Sequence, residues 1–216
     1  MLLHAVIVPP RTVLEAVAQV VQSVERPRSA APPQPSSGFL RRRGNRGVPE
    51  AGPPAAADHE LDLVPPEQLD LPIVGFGNVT AGDASKLADT LTAAAAGWAR
   101  PTVHIAGGGA LEFPGDRAVW ARLEGDVDAL VSIARGVVQA VQRRGFFVDR
   151  RAFRPWLAVA TITESTTATY LEEVVAALDA FRGEAWTVGC VSLMKRSFGA
   201  AVPESRESYR IPLAPP

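Results

Sequence analysis

The segment DLPIVGFGNVTAGD, residues 70–83, contains the pattern from which the fold of this chain can be predicted. Its first half is a short apolar run, Leu71–Phe76, with the length and β-branched content of a buried strand. Thirteen residues after Asp70, Asp83 is suited to cap a helix with a regular apolar face. The segment therefore predicts a strand followed directly by an amphipathic helix.

The same order of elements returns 86 residues later in WLAVATITESTTAT, residues 156–169. Trp156–Thr161 is again strand-like, and Thr169 begins a capping-box pattern ahead of a second helix. Strands predicted near Pro101 and Thr187 keep the same spacing. The spacing predicts two copies of one α+β unit, packed as a pseudo-twofold pair with a cleft between their sheets.

Hydrophobic periodicity predicts further elements around these two segments. The remaining predicted strands are short apolar runs at Leu2–Val8, Thr102–Ala106, Ala118–Leu123, Thr187–Met194 and Ser208–Leu213. The remaining helices are expected to begin at Thr12 and Asp126. The triplet Gly107–Gly109 follows a strand but does not begin a helix, which favours a turn with positive φ over a phosphate-binding loop.

The hydrophobic period disappears between the first helix and residue 61. Residues 27–58 are rich in Pro, Ser, Gly, Ala and Arg, a composition typical of a flexible insertion. We interpret the chain as a single bilobal domain, residues 1–216, that carries this insertion. The densest positive cluster of the chain, Arg41–Arg46, lies within it. A solvated loop, an anion-binding arm and a contact for a protein partner all fit the cluster.

Charge and cysteine content limit the class of protein. The net charge is −1, so contact with nucleic acid would need a local basic patch. Cys190 is the only cysteine, which excludes an internal disulfide and a thiolate metal cluster and fits a reducing cytoplasm. The apolar run at the start is too short for a signal peptide or a membrane span. We expect a cytoplasmic protein with no membrane partner, no metal and no other cofactor.

Four segments occur in an informative order. They are LVPPEQL at residues 63–69, GGGALEFP at 107–114, RAFRP at 151–155 and SLMKRSFG at 192–199. Together they resemble the 2'-5' RNA ligase-like branch of the two-histidine phosphoesterase superfamily, which includes RNA 2',3'-cyclic phosphodiesterases. The resemblance implies a bilobal α+β fold in which two pseudo-twofold-related antiparallel sheets flank a central cleft, with the helices outside.

In this family each lobe carries a His-x-Thr-x signature, and the two imidazoles act as general base and general acid. The first signature aligns with residues 70–73 and the second with residues 156–159. Asp70 and Pro72 replace one His and Thr, and Trp156 and Ala158 replace the other pair. Loss of one acid–base group typically costs about 10²–10⁴-fold in rate. The alignment therefore predicts lost or weak family chemistry.

Other residues are candidates for ligand contact. His104 is expected to point away from the core, toward the cleft or into a structural hydrogen bond. Arg154 precedes the second signature and either steers an anion or lies on the surface. Lys195 and Arg196 follow the last inner strand, where the resemblance implies proximity to ligand, although a charged strand end fits equally. Trp156 either stacks on a base or fills the cleft.

Three functions remain open. The favoured one is a non-catalytic or weakly active family member whose cleft binds an RNA end, a nucleotide or no ligand. The second is an active phosphoesterase or ligase that uses relocated groups, namely Asp70, His104 and Lys195. The third is a protein-interaction module in which residues 27–58 form the partner arm. His4 lies within a predicted core strand and is interpreted as structural.

Overall fold

The structure is a computed structural model that describes residues 1–24, 61–113, 116–149, 152–196 and 205–214. The predicted insertion, residues 27–58, lies outside the described residues. The strands are β1 Leu2–Ile7, β2 Leu61–Leu63, β3 Leu71–Asn78, β4 Thr102–Phe113, β5 Asp116–Gly125, β6 Trp156–Ile162, β7 Trp186–Thr187, β8 Cys190–Arg196 and β9 Ser205–Pro212. The α-helices are α1 Arg11–Ser23, α2 Ala81–Ala95, α3 Val127–Gln142 and α4 Ala168–Ala180.

The strands form two antiparallel sheets. The first sheet has the order β3-β1-β8-β9 and the second the order β2-β6-β5-β4-β7. Helices α2 and α3 pack against strands of the first sheet, whereas α1 and α4 pack against the second. The sheets flank a central cleft with the helices outside, so the predicted fold class is confirmed.

Each half of the chain contributes two strands to the sheet that the other half begins, namely β2 and β4 from the first half and β8 and β9 from the second. In the first half, β1 and β3 belong to the first sheet, but β4 pairs with β5 in the second. In the second half, β5 and β6 belong to the second sheet, but β8 pairs with β1 in the first. Each sheet is therefore completed by strands from the other half, and the matching positions of β4 and β8 agree with two copies of one unit.

The predicted starts of two helices can be compared with the structure. Helix α1 begins at Arg11 after Pro10 and has no side-chain cap, so the capping box predicted at Thr12 is wrong. The extended residue before the helix is Pro10, two residues earlier than the predicted cap, and its ring fixes φ at −57°. Helix α3 is preceded by Asp126 as predicted, but the Asp126 carboxylate accepts from the Thr102 N–H at 3.0 Å.

Helices α2 and α4 are capped by threonines upstream of the predicted residues. The Thr80 hydroxyl accepts a hydrogen bond from the Asp83 N–H at 3.1 Å and donates one to the Asp83 carboxylate at 2.8 Å. Asp83 thus lies in the first turn and is not itself the cap. In α4 the cap is Thr167 rather than Thr169, and its hydroxyl accepts from the Tyr170 N–H at 3.3 Å. In both cases the cap is the residue whose backbone is still extended.

The glycine triplet is part of a strand and not a turn. Strand β4 continues through it to Phe113, so the end of the strand predicted at Ala106 is wrong. Gly107 has φ of 91° and lies in a β-bulge of the pairing with β5, between Ile105 and Gly108. The requirement for positive φ was therefore correct, but it reflects a bulge.

The predicted strand Thr187–Met194 is two strands in different sheets. The first, β7, ends at Thr187 and pairs with β4. The second, β8, begins at Cys190 and pairs with β1 and β9. The chain crosses between the sheets at Val188, whose N–H donates to the Pro101 carbonyl at 2.9 Å.

One apolar core underlies both sheets, and the helices contribute their predicted faces to it. In α1 the buried residues are Val13, Leu14, Val17 and Val21. In α2 the buried residues include Leu87, Leu91 and Ala95, which form the regular apolar face expected after Asp83. Among the described helices, none has both the length and the apolar character needed to span a membrane.

Candidate functional site

The alternating side chains of β1 show which face of the first sheet lies against the core and which faces the cleft. Leu3 and Ala5 are buried in the core, so the alternating residues His4 and Val6 point to the cleft. Because paired residues on neighbouring strands point to the same face, the pairing identifies the cleft-facing residues on all four strands. The rows of paired residues on it are Pro72, Val6, Ser192 and Arg210 in one row and Gly75, His4, Met194 and Glu207 in the next.

Asp70, His4 and Arg196 share one region of this face. Asp70 lies just before β3, two residues from Pro72, and is half-buried. Burial raises the pKa of Asp70 to about 6, and the positive charge of Arg196 acts in the opposite direction. Burial lowers the pKa of His4 to about 4, with a further lowering by Arg196. At neutral pH the cleft therefore presents a carboxylate, a neutral imidazole and a guanidinium.

Two buried polar atoms near this region have no hydrogen-bond partner among the residues that the structure describes. They are Nε2 of His4 and Oδ1 of Asp149. The Asp149 N–H donates to the Gly75 carbonyl at 3.0 Å, and a Cβ on Gly75 would lie 2.9 Å from Asp149 Oδ2. Because Gly75 is paired with His4, the Asp149 carboxylate lies over the cleft face beside the His4 row. Buried polar atoms without partners are uncommon, so they indicate hydrogen-bonding capacity available to a ligand.

The second sheet presents an aromatic wall. Leu157 and Val159 of β6 are buried, so Trp156 and Ala158 occupy the alternate face. Ala158 is paired with Trp120 of β5, whose ring lies 6.3 Å from that of Trp156 at an interplanar angle of 60°. The indole Nε1 of Trp120 is buried without a partner among the described residues. Strands β5 and β6 therefore offer indole surface, and Trp120 of β5 offers one unused donor.

His104 lies on the same sheet but pairs with a carboxylate. Its neighbours Val103 and Ile105 are buried, so His104 occupies the face opposite the core, as expected. The His104 Nε2 lies 3.8 Å from Glu124 Oε2, and the two residues are register partners. This geometry fits a structural contact as well as a site residue.

The glycine triplet serves packing. A Cβ on Gly107 would lie 2.5 Å from Nη2 of Arg122, so the missing side chain lets that guanidinium lie against the backbone. The Gly108 N–H donates to Asp179 Oδ1 at 2.8 Å, and Arg122 Nη2 lies 3.5 Å from the same oxygen. A Cβ on Gly109 would meet nothing within 4 Å. Two of the three glycines thus position Arg122 and α4, and they do not form a phosphate-binding loop.

The remaining basic candidates lie in different places. Arg196 is paired with Leu2 and lies on the face that carries His4. Lys195 is paired with Leu3, whose side chain is in the core, so the structure does not bring Lys195 to the cleft face. Arg154 is exposed and lies two residues before Trp156.

His4, Asp149 and Trp120 were not identified as site residues from the sequence. For His4 the sequence did contain an indication. Leu3, Ala5 and Ile7 alternate along the strand and face the core, so His4 must lie on the other face. Asp149 and Trp120 become visible only through register and through the close approach to Gly75.

Outside this region, the described residues form a pocket but no metal-binding group. A shallow pocket on the helical side is lined by Asp83, Lys86, Asp89, Thr90, Arg144, Gly145 and Phe146, and it contains none of the candidate residues. Within the described residues, no group of three or more His, Cys, Asp or Glu side chains is arranged to hold a metal ion.

Solved structures of similar fold cover nearly the whole chain. TT0787 of Thermus thermophilus is 15% identical, with a TM-score of 0.66 and coverage of 99% of this chain and 98% of that one. E. coli LigT complexed with 3'-AMP is 16% identical, with a TM-score of 0.65 and coverage of 98% and 97%. A phosphoesterase crystal structure is 16% identical, with a TM-score of 0.61 and coverage of 99% and 98%. No family model and no curated protein matches the sequence. The chain therefore has the bilobal fold of E. coli LigT.

Proposed function

We propose that this chain is a member of the LigT-like two-histidine phosphoesterase superfamily that binds a nucleotide or an RNA end in its cleft, with little or no catalysis. One observation carries the proposal. The first lobe presents Asp70, just before β3, and Pro72 of β3, and the second lobe presents Trp156 and Ala158 of β6, where the aligned signatures have His and Thr.

Loss of catalysis follows from what these side chains can do. The reaction needs one group to take a proton from the attacking oxygen and another to give one to the leaving oxygen. Trp156 has an N–H donor but no titratable proton at these pH values, and Pro72 and Ala158 have no hydroxyl. Asp70 supplies at most one of the two roles. We expect turnover to fall by about 10⁴-fold or more relative to an enzyme with both groups.

Retention of ligand binding is supported by the chemistry of the cleft. Arg196 acts on Asp70 and His4 electrostatically, but among the described residues it forms no ion pair within 4.0 Å. Its guanidinium can therefore contact a phosphate. The indoles of Trp120 and Trp156 offer stacking surface. E. coli LigT, which shares the fold, has been crystallised with 3'-AMP, NADP+, ATP and phosphate.

Titration calorimetry with nucleotides tests the proposal. Arg196→Ala is expected to weaken nucleotide binding by about 10-fold or more, because a charge-assisted contact to phosphate contributes about 1.5–3 kcal/mol. Lys195→Ala is the matched control, since it removes the same charge from the neighbouring residue on the opposite face. We expect the control to bind within about 2-fold of wild type. Absence of nucleotide binding by the wild-type protein at millimolar concentration would refute the proposal.

A second candidate function, an active phosphoesterase with relocated groups, is favoured by the Asp70 pKa of about 6, which suits a general base. Of the residues first considered for that role, His104 is paired with Glu124 and Lys195 lies off the cleft face. Steady turnover of a 2',3'-cyclic nucleotide by purified protein, abolished in Asp70→Asn or His104→Ala, would establish this candidate. We expect no turnover above the uncatalysed background.

The third candidate, a protein-interaction module, stays a prediction because residues 27–58 lie outside the described residues. A cytoplasmic location likewise stays a prediction. A variant that lacks residues 27–58 tests whether this segment is needed at the cleft. If the variant still binds nucleotide, the segment has a role separate from the cleft, as a partner arm would.

A further inference from the structure

We infer that the cleft selects nucleotides with a free ribose cis-diol and a phosphate on the 5' side, with Asp70 accepting from the two hydroxyls and Arg196 facing the phosphate. This inference rests on the proposed function, because it assigns a ligand class to the same cleft. It differs from a site for cyclic or 3'-terminal phosphates, in which the diol is blocked.

Asp70 decides what can lie at its end of the cleft. An ionised carboxylate has only acceptor oxygens, so it repels a phosphate and pairs with hydroxyl donors. Two vicinal hydroxyls match the two oxygens of one carboxylate, and in dinucleotide-binding folds an acidic residue likewise accepts from the ribose 2'-hydroxyl. The neighbouring cleft residue, Pro72, has no backbone N–H, and so it adds no donor for a phosphate oxygen.

Arg196 gives the other end the opposite character. It belongs to the row of Leu2, whereas Asp70 lies beyond the row of Pro72, so their backbones are near opposite ends of β1. The long arginine side chain nevertheless brings its charge close enough to act on both His4 and Asp70. A ligand in this region thus meets a guanidinium that reaches in from the Leu2 end of β1 and a carboxylate on the Pro72 side. A ribonucleoside 5'-phosphate has the complementary order.

The groups between these ends fit the same ligand. His4 is neutral at pH 7, and its buried Nε2 has no partner among the described residues, so it can bond an uncharged sugar oxygen. On the opposite wall, Trp120 and Trp156 provide indole faces for the base, and Trp120 Nε1 provides a donor for a base acceptor.

Calorimetric titration of the full chain with AMP, 2'-deoxy-AMP, 3'-AMP and 2',3'-cyclic AMP tests the inference. We expect AMP to bind at least about 10-fold more tightly than 3'-AMP and 2',3'-cyclic AMP, in which the diol is blocked, because a buried carboxylate left without its donors weakens binding. Loss of one hydroxyl in 2'-deoxy-AMP is expected to weaken binding several-fold. This ranking is measured on the wild-type protein and does not depend on how any variant folds.

A variant pair then locates the effect. Asp70→Asn is expected to bring the affinities for AMP and 3'-AMP to within about 3-fold of each other. Glu67→Gln, which removes an exposed carboxylate three residues away, is expected to preserve the wild-type ranking. If 3'-AMP or 2',3'-cyclic AMP binds wild type as tightly as AMP, the diol inference is overturned while the proposed function stands. If none of the four nucleotides binds, the proposed function itself fails.

Discussion

Gly108→Ala tests whether the glycine triplet is a packing device. The added Cβ would lie 2.7 Å from Leu178 Cβ and 2.9 Å from the Val175 carbonyl oxygen. Both atoms belong to α4, and neither can rotate away, because one is a Cβ and the other is backbone. The helix must therefore shift away from β4, and the bond from the Gly108 N–H to Asp179 must lengthen.

The expected loss of stability can be estimated from two opposing contributions. Overpacking of a filled site costs about 1–3 kcal/mol. The lower conformational entropy of the unfolded chain with alanine offsets about 0.4–1 kcal/mol. With the overpacking cost at the middle of its range, the net loss is about 1–2 kcal/mol in the free energy of unfolding. For a chain of this size, a loss of this magnitude lowers Tm by about 2–8 °C.

Urea and thermal unfolding followed by circular dichroism provide the measurement, with Gly109→Ala as the matched control. At Gly109 an added Cβ meets nothing within 4 Å, so this variant is expected to keep the unfolded-state gain alone and to be more stable than wild type by up to about 1 kcal/mol. Equal stability of the two variants would contradict the close approach of α4 to β4.

Three further predictions concern caps, buried hydrogen bonds and pH. Thr80→Ala is expected to lower the free energy of unfolding by about 1 kcal/mol through loss of the α2 cap, whereas Thr12→Ala, which removes no cap, is expected to be near neutral in urea unfolding. Ser192→Ala removes the donor of a 2.6 Å bond to Glu207 and is expected to cost about 1–3 kcal/mol in the same assay. Between pH 4 and 6, the lowered pKa of His4 makes stability rise with pH, and the raised pKa of Asp70 makes it fall. As the pH rises from 4 to 6, Asp70→Asn should therefore gain stability relative to wild type, and His4→Gln should lose stability relative to wild type. If the stability of both variants changes with pH in parallel, these pKa directions are wrong.

Much of the fold could be predicted because strand and helix periods are local properties. The run Leu71–Phe76 and the periodic helix after Asp126 both appear in the structure at the expected places. The division of Thr187–Met194 into two strands could not be predicted, because one apolar run serves both sheets and only pairing partners separate them. The caps were misplaced because Thr12 and Thr169 match the motif locally, while the surrounding packing decides which residue stays extended.

The candidate site was less accessible to sequence reasoning. The face on which a strand residue lies depends on its neighbours, so Lys195 and Arg196 were equivalent in the sequence but lie on opposite faces in the structure. His4 lies in a strand that contributes to the core, but the adjacent residues Leu3 and Ala5 face the core and His4 does not. Asp149 reaches the cleft because Gly75 leaves room for it, a relation between residues far apart in the sequence.

The exchange of β4 and β8 between the two sheets ties the lobes together more firmly than a bilobal shape alone would require. If the chain were severed between β4 and β5, the first fragment would retain β1 and β3 but lack β8, which pairs with β1 in the intact sheet. The second fragment would likewise lack β4, the strand that joins β5 to β7. Neither lobe could then unravel while the other stayed whole, so the two walls of the cleft form and melt as a single cooperative unit.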